Sequence, residues 1–285
     1  MSITFCLEAI MARLHMLRSV TDTINTSFVF ECEEGLFVID GGFPSESEYM
    51  YEYLRTLGGK VRVWFFTHPH DDHVGCFLEL MRAHGDISVE EVYHCFPSKE
   101  FSVSFEPRQS RMTAEELYDR FKCVIEERGI TEKAVAEGEV YSFGELNLRV
   151  LRTADEAITV NPINNSSTVY RFEINGKSLL FLGDLGVEGG KQLLERADPS
   201  LLRSDYVQMA HHGQQGVSKE VYEAISPRYT FWCTPTWLWD NVDRKNGGGY
   251  DSGNYKTIVV RGWMSELGCV RRHYRMIDGN NVIEL

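Results

Sequence analysis

The chain has 285 residues, with 42 Asp and Glu against 29 Lys and Arg, so its formal net charge is −13. Its 43% hydrophobic and 12% aromatic residues are enough for a substantial core, which excludes disordered and fibrous classes. The negative charge argues against an extended nucleic-acid-binding surface, because such a surface needs Lys and Arg to neutralise phosphates.

The N-terminal segment Met1–Met16 is mildly apolar but lacks the pattern of a signal peptide. Glu8 interrupts it, and Arg13 follows the apolar stretch instead of preceding it. No apolar run reaches the roughly 20 residues that a membrane helix needs. The seven cysteines are scattered and form no Cys-x-x-Cys pair. We therefore expect a cytoplasmic protein with reduced thiols and no membrane association.

Hydrophobic periodicity predicts alternating strands and helices along the chain. The predicted strands are Thr26–Cys32, Leu36–Asp40, Val61–Thr67, Val92–Cys95, Leu146–Leu151, Thr168–Ile174, Ser178–Leu182, Tyr206–Ala210 and Tyr229–Cys233, with a closing strand near Val282 and Ile283. The predicted helices are Glu46–Leu57, Val74–His84, Thr113–Arg128, Glu188–Arg196, Lys219–Ile225 and Tyr255–Leu267. This order predicts an α/β fold in which helices cover sheets from the outside. No linker is evident, so we expect a single domain over residues 1–285.

Two stretches between these elements show no regular pattern. They are residues 96–111 and residues 234–254, and the second contains the run Gly247–Gly249. Long loops inside a compact domain are more often functional than accidental. We therefore expect these two loops to border the functional site.

Five of the nine histidines lie in two short segments, and the first segment has the spacing of metal ligands. A His-x-His-x-Asp-His motif, formed by His68, His70, Asp72 and His73, follows an apolar strand and precedes a helix. Imidazole nitrogens and carboxylate oxygens suit Zn²⁺ and similar divalent ions. Four donors within six residues exceed what one tetrahedral ion with an open position uses. The motif therefore predicts two metals.

Two later strands also end in residues that can bind metal. Asp184 follows Gly183 at the end of one strand, and His211 and His212 follow the next. Asp40 closes an earlier strand, where it either supports a ligand through a hydrogen bond or forms a turn. Three strand ends, which carry the motif, Asp184 and the pair His211-His212, thus each supply metal-binding groups and are expected to meet at one edge of the fold.

The sequence resembles the metallo-β-lactamase superfamily of dinuclear metallohydrolases. The resemblance lies in the order and the strand-end positions of three motifs, which are His-x-His-x-Asp-His at residues 68–73, Gly183-Asp184 and His211-His212-Gly213. The resemblance covers roughly Thr26 to Tyr229. It implies a four-layer αβ/βα sandwich with two sheets face to face, helices outside and metals at one edge.

The resemblance also implies a ligand set with two divalent ions, for which zinc is favoured and manganese and iron are alternatives. The first metal would take His68 and His70; the second would take Asp72, His73 and one of His211 and His212, with His212 favoured; Asp184 would bridge both. The resemblance therefore implies that Asp72 and Asp184 are catalytic residues as well as metal ligands.

The sequence departs from the broad family pattern at one position of the first metal site. Most members supply a further histidine there, but none occurs between His94 and His211. The segment Asn161–Ser167 stands in its place and offers Asn164 and Asn165 as substrate contacts or supports for ligands. An Asn-Asn-Ser-Ser segment before the Gly-Asp strand resembles the branch of the competence-protein (ComEC-like) hydrolase domain and phosphorylcholine esterase, whose substrates are phosphodiesters.

These observations predict a hydrolase that uses a metal-bridging hydroxide, with no serine or cysteine nucleophile. A small anionic ester, most simply a phosphodiester, fits the two positively charged metals. Arg108 and Arg111 are candidates for phosphate recognition, and Trp237 and Trp239 for walls of the substrate pocket.

Three alternatives remain open. The same metal centre could cleave a carboxyl ester, a lactone or an amide. The protein could also bind metal without catalysis. A diiron redox protein of this superfamily is less consistent with the sequence, because it would be expected to carry Glu where His70 stands and to have an attached flavin domain. The sequence predicts no particular oligomeric state.

Overall fold

The apolar runs of the sequence form two seven-stranded sheets in the computed structural model, which describes residues 11–285. In chain order the strands are β1 (Arg13–Met16), β2 (Ser27–Cys32), β3 (Gly35–Asp40), β4 (Lys60–Phe65), β5 (Ser88–His94), β6 (Thr131–Ala134), β7 (Val140–Phe143), β8 (Leu146–Arg152), β9 (Val169–Ile174), β10 (Lys177–Phe181), β11 (Tyr206–Gln208), β12 (Tyr229–Trp232), β13 (Arg272–Arg275) and β14 (Asn281–Glu284). The first sheet has the order β14-β1-β2-β3-β4-β5-β6, and the second has the order β13-β12-β11-β10-β9-β8-β7.

Helices connect the parallel strands of each sheet. They are α1 (Ser47–Thr56), α2 (Asp71–Ala83), α3 (Lys99–Phe105), α4 (Ala114–Arg128), α5 (Val187–Arg196), α6 (Pro199–Leu202), α7 (Lys219–Ile225), α8 (Thr236–Trp239) and α9 (Thr257–Glu266). Parallel neighbours need such crossovers, whereas the antiparallel pairs β2–β3 and β9–β10 are joined by short turns.

Three buried apolar clusters separate the layers. The central cluster lies between the sheets, where the ring centroid of Phe28 is 5.0 Å from that of Phe181. A second cluster packs the first sheet against α1, α2 and α4, as in the 5.1 Å contact between the rings of Trp64 and Phe77. A third packs the second sheet against α5, α7 and α9. The predicted four-layer αβ/βα sandwich is thereby confirmed.

The two halves have matching topology, and this places one edge of both sheets together. β3, β4, β5 and β6 are parallel, as are β10, β11, β12 and β13, so their carboxyl ends lie at one edge of each sheet. The Oγ1 of Thr26, just before β2, approaches the ring of His212, which follows β11, so the two edges meet. The segments that follow β3, β4, β10 and β11 therefore converge.

All ten predicted strands, including the closing strand that corresponds to β14, and all six predicted helices have counterparts, but several elements escaped prediction. The strands β1, β6, β7 and β13 are four residues each, and all four residues of β6 are exposed, so they lack an apolar pattern. The stretch 96–111, expected to be irregular, contains α3, whose N-cap Ser98 accepts a hydrogen bond from the backbone of Phe101. The stretch 234–254 likewise contains α8.

Within residues 11–285, every helix is too short or too polar to cross a membrane. The expectation about a signal peptide concerns Met1–Met16, of which residues 1–10 lie outside the described part of the chain.

Candidate metal centre

The first set of site residues lies where β4 passes into α2. His70 is the N-cap residue of α2 in extended conformation, and Asp71 and Asp72 occupy the first turn. Carboxylates are favoured there because the free N–H groups of a helix N-terminus carry partial positive charge. Gly75 allows α2 to approach the preceding loop, since a Cβ at this position would lie 2.6 Å from the Cδ of Pro44.

The second set comes from the ends of β10 and β11. The backbone N–H of Asp184 donates to the hydroxyl of Ser167 at 3.0 Å, which holds the carboxylate at the strand end. His211 and His212 both have positive φ, at 52° and 56°. Consecutive left-handed residues other than glycine are uncommon and cost backbone energy, so this turn indicates a functional constraint.

Together the two sets form two groups of potential metal ligands that share one carboxylate. One group contains Asp72, His73, Asp184 and His212, and the other contains His68, His70 and Asp184. In each group one donor atom per residue lies within 4.8 Å of all the others. The sequence left His211 and His212 open as alternatives, and the structure brings His212 into the first of these groups.

The donor distances in the four-residue group are short. The Nε2 of His212 lies 3.1 Å from the Oδ2 of Asp72 and 3.2 Å from the Oδ2 of Asp184. The Nε2 of His73 lies 3.3 Å from the Oδ1 of Asp184. Two ligand atoms at about 2.1 Å from a tetrahedral zinc are separated by about 3.4 Å. These distances therefore match those between ligands of one ion.

Polar groups behind this group hold the two imidazole rings by their other nitrogen. The Nδ1 of His73 lies 2.8 Å from the Oδ2 of Asp40, and Asp40 is fully buried. The Nδ1 of His212 lies 3.4 Å from the Oγ1 of Thr26. The Asp40 carboxylate accepts a hydrogen bond from Nδ1 of His73, so Nε2 is the nitrogen that faces a cation. Burial opposes a charge on this imidazole, but Asp184, Asp40 and Asp72 outweigh it and raise its pKa well above the ordinary value, so a metal would displace the proton from Nε2.

The three-residue group is arranged in the same way. The Nε2 of His68 and the Nδ1 of His70 face each other at 3.0 Å, and the Nε2 of His68 is 4.0 Å from the Oδ2 of Asp184. The outer nitrogen of His68 contacts the hydroxyl of Thr67 at 3.1 Å. Three protein ligands leave one tetrahedral position for water or substrate, which is the arrangement of catalytic zinc sites.

Buried polar atoms without partners show that a cation fits between the ligand residues. The Nε2 of His73 and the Oδ1 of Asp184 are buried 3.3 Å apart, and neither has a hydrogen-bond partner of good geometry within the described residues. Buried polar atoms in native proteins are nearly always paired. Bare imidazole nitrogens and carboxylate oxygens facing one another are therefore explained by divalent metal binding.

The electrostatics of the cluster reflect its like and unlike charges. Burial, together with the neighbouring imidazoles of His73 and His70, lowers the pKa of His68 well below its ordinary value. Burial also opposes the charge on His212, but Asp184 and Asp72 outweigh it and raise its pKa to about 9. The pKa of the Asp184 carboxyl is held well below its usual range, because His212 and His73 outweigh the effect of burial.

The Asn-Asn-Ser-Ser segment lies beside the cluster, and its two asparagines have different contacts. The Nδ2 of Asn164 lies 3.4 Å from the Nε2 of His211, and that Nε2 is 3.9 Å from the Oδ2 of Asp184. Asn165 does not reach the cluster. Its Oδ1 accepts hydrogen bonds from the backbones of Gly186 and Gly189, so it holds the turn after Asp184.

The loop with the candidate arginines is anchored on the histidine motif. The Nε2 of Gln109 donates to the carbonyl of Pro69 at 2.7 Å, and the backbone N–H of Arg111 donates to the carboxylate of Asp71. The guanidinium of Arg111 lies 5.5 Å from the ring centroid of Phe43. Arg108 is exposed on the same loop.

The two candidate tryptophans differ in position. The Nε1 of Trp237 donates at 3.2 Å to the carbonyl of Asp22, which belongs to the β1–β2 loop at the metal edge. The ring of Trp239 packs edge-on against Trp232 at 5.2 Å and stacks under the guanidinium of Arg261 at 4.1 Å. The described contacts of Trp239 are therefore with α9 and the second sheet.

Sequence reasoning missed several residues that support the ligands. They are Thr26, Thr67, Glu106, Ser167 and Gln215, the last of which accepts through its backbone carbonyl from Nδ1 of His211 at 3.1 Å. The only local signal was the position of Thr67 and Ser167 beside recognised motifs. Glu106 and Thr26 are far in sequence from the histidines that they contact, so no spacing pattern identifies them.

Comparison with known proteins identifies a family over most of the chain. The model of the family described as "Metallo-beta-lactamase superfamily" matches residues 20–225. Among curated proteins, the ComE operon protein 3 of Bacillus subtilis (strain 168) is 25% identical over an alignment of 214 residues that covers 69% of this chain. The match covers 25% of that relative, so this chain corresponds to about a quarter of it.

Solved structures share the fold. The metallo-beta-lactamase fold protein YhfI from Bacillus subtilis has a TM-score of 0.55 at 9% identity, with 95% of this chain and 99% of that chain covered. CmlA, a diiron beta-hydroxylase from Streptomyces venezuelae, has a TM-score of 0.56 at 12% identity, with 96% of this chain and 54% of that chain covered. At these identities the likeness establishes the fold alone.

Proposed function

Because the chain belongs to the metallo-β-lactamase superfamily, we propose that it is a hydrolase that holds two divalent metal ions and cleaves a phosphodiester or a similar small anionic ester. The observation that carries this proposal is the sharing of the Asp184 carboxylate by two groups of bare nitrogen and oxygen donors. Zinc is the favoured ion because imidazole and carboxylate ligands in tetrahedral sets suit it, and manganese and iron are alternatives.

Each ligand group has a distinct task in this proposal. His68, His70 and Asp184 hold the first ion and leave a position open, while Asp72, His73 and His212 complete the second site. When bound, such ions lower the pKa of water to about 7 and offset negative charge on the reacting ester. Asp40 and Thr67 orient the imidazole rings, and burial of the carboxylates keeps bulk water from competing for them.

Two arginines beside the histidine motif support an anionic substrate. The segment that carries Arg108 and Arg111 is anchored on the histidine motif by Gln109 and Asp71. Within residues 11–285, neither guanidinium has a carboxylate within ion-pair distance. A guanidinium without a carboxylate partner is available for bidentate contacts with a phosphate group. This favours a phosphodiester over a neutral carboxyl ester.

Chelation and substitution test the hydrolytic proposal. We expect the metal-loaded protein to hydrolyse bis(p-nitrophenyl) phosphate and to lose this activity with a chelator. The variants His70→Ala and Asp184→Ala should lose metal and activity together. Retention of metal and rate in both variants would contradict the proposal.

A substrate panel separates the alternatives. Phosphodiesters, carboxyl esters, lactones and amides are compared with the same metal-loaded preparation, together with Arg111→Ala. We expect phosphodiesters to react fastest and Arg111→Ala to raise KM for them about tenfold, with little effect on neutral esters. Faster cleavage of neutral esters would assign the centre to that class. Metal binding without any hydrolysis would indicate a non-catalytic protein, and anomalous scattering at the zinc, manganese and iron edges identifies the ions.

A further inference from the structure

Glu106 lies beside the first metal group although it belongs to a different part of the sequence. It caps the C-terminus of α3, where its backbone N–H donates to the carbonyl of Ser102 at 2.8 Å. Its Oε2 lies 3.1 Å from the Nε2 of His70. This is the outer nitrogen of the ring, because Nδ1 faces His68. The carboxylate and the ligand group therefore contact opposite ends of the same imidazole.

The contact is held in place by the surrounding backbone. The segment after Glu106 is anchored on the motif through Gln109, which donates to the carbonyl of Pro69, and through Asp71, which accepts from the backbones of Arg111 and Met112. The Glu106 side chain is one-third exposed, whereas that of His70 is 12% exposed. The ring N–H does not point straight at the carboxylate, and rotation of the exposed Glu106 side chain can align the two.

A carboxylate beside Nε2 of His70 determines which nitrogen of this ring is available to bind the metal. A neutral imidazole carries one proton, and a carboxylate can only accept it. Glu106 therefore places the proton on Nε2 and leaves the lone pair on Nδ1, 3.0 Å from the Nε2 of His68. Asp40 does the same for His73 through the other nitrogen, so that Nδ1 donates to Asp40 and Nε2 faces Asp184. Such carboxylate partners orient a ligand and increase its basicity.

We propose that Glu106 is the positioning residue of the first metal site, which holds His70 with Nδ1 directed at the ion. The inference rests on the metal centre of the proposed function but not on its substrate. The inference also connects the α3–α4 segment with metal binding. This segment carries Arg108 and Arg111, the candidates for anion binding, and it also orients His70, so movement of the segment changes the metal affinity of the first site.

Stepwise titration with Co²⁺, followed by its visible absorption, tests this assignment. His68→Ala identifies the step that belongs to the first site, and His212→Ala identifies the second. We expect Glu106→Ala to weaken the first step by about 10- to 100-fold and to leave the second within about twofold. Glu106→Gln keeps an acceptor oxygen at similar size, so its first step should lie between those of the wild type and Glu106→Ala.

Glu100→Ala is the matched control, because it removes an exposed carboxylate from the same helix, and it should change neither step. Unchanged steps in Glu106→Ala would overturn the assignment, and so would equal weakening of both steps, which indicates a general structural effect. If Glu106→Ala does not fold, an unaltered first step in Glu106→Gln overturns it, and a weakened first step with an intact second step supports it.

The titration also separates this inference from the proposed function. A selective effect of Glu106→Ala in a protein that hydrolyses no ester would support the positioning role and contradict the hydrolytic proposal. Ester hydrolysis with an unaltered first step would do the reverse. Absence of Co²⁺ binding in the wild type would overturn both.

Discussion

The two metal groups differ in how the protein encloses them. All four members of the Asp72–His73–Asp184–His212 group are buried, and so are the Asp40 and Thr26 side chains behind its imidazoles. In the other group His70 is partly exposed, and its partner Glu106 is one-third exposed on a loop. The first turn of α2 and the ends of β10 and β11 therefore build one site from buried residues, whereas the other site depends partly on the surface segment that carries Glu106. We expect the buried site to bind its metal more tightly, and we expect the metal affinity of the open site to respond more to substitutions in the surface segment.

The largest effect should come from removing what the two sites share. Asp184→Ala takes away a carboxylate that belongs to both groups and leaves the imidazoles of His73 and His212 facing each other. We expect neither metal to be retained and the rate of ester hydrolysis to fall by about 10³-fold or more, since the metals contribute several kcal/mol. Metal analysis and rate measurements on the same preparation check this. Retention of one full equivalent of metal would mean that the two groups are independent.

A substitution behind the buried site should weaken it more than the open site, which it reaches only through the contact of Thr67 with His68. Asp40→Ala removes the acceptor for Nδ1 of His73 and for the backbone N–H and hydroxyl of Thr67. Leaving buried donors unpaired should lower the free energy of unfolding by about 2–3 kcal/mol. The second metal should bind about 10- to 100-fold more weakly. Urea unfolding and Co²⁺ titration measure the two effects, and equal weakening of both Co²⁺ steps would contradict the separation of the sites.

This contrast also explains which parts of the site the sequence reveals. The motif His68–His73 could be recognised in the sequence because its donors are close together along the chain, at the end of a strand. Residues that are close in sequence stay close in the folded protein. Glu106 and Thr26 depend on the path of distant chain segments, which periodicity does not encode. The departure at Asn164–Ser167 was visible as a missing histidine. The hydrogen bond by which Ser167 holds Asp184 has no signature in the sequence, because the two residues lie in different strand connections.

The fold shows the same division. The core strands and amphipathic helices were predictable because burial of one face imposes a period of two or 3.6 residues. β6 and β13 were not, because β6 is exposed at all four residues and β13 has only half-buried Tyr274 and Arg275. Backbone pairing with a neighbouring strand places these edge strands, and such pairing leaves no pattern of buried side chains in the sequence. The resemblance to a family supplied the architecture that periodicity left open.

The pH dependence of metal affinity should sharpen the comparison further. In the metal-free protein Asp184 and Asp72 overcome the effect of burial and raise the pKa of His212 to about 9, whereas burial holds the pKa of His68 well below its ordinary value. A metal at the second site must displace protons from two imidazoles, those of His212 and of His73, because Asp184, Asp40 and Asp72 outweigh burial and raise the pKa of His73 well above its ordinary value. Affinity of this site should therefore rise by about tenfold per pH unit or more between pH 7 and 9. In the first site only the imidazole of His70 has a raised pKa, because Glu106 outweighs burial, so this site should change less.

The stability of the metal-free protein should move in the opposite direction. The pKa of His212 is higher in the folded state than its ordinary value of 6.5, so its protonation stabilises the fold fully below pH 6.5. This contribution is lost as the pH rises through about 9. Thermal unfolding and Co²⁺ titration across this range measure both trends. Equal slopes for the two Co²⁺ steps would show that the sites do not differ in the protonation of their ligands.

The smallest effect on metal binding should come from the two tryptophans. Trp239 packs on Trp232 and Arg261, so Trp239→Ala should lower the free energy of unfolding by roughly 2 kcal/mol and leave both Co²⁺ steps and KM within about twofold. Trp237 contacts the β1–β2 loop at the metal edge, so Trp237→Ala should raise KM for a phosphodiester a few-fold with metal content unchanged. A larger change in KM for Trp239→Ala than for Trp237→Ala would reverse this assignment. It would mean that the substrate reaches beyond the metal edge towards α9.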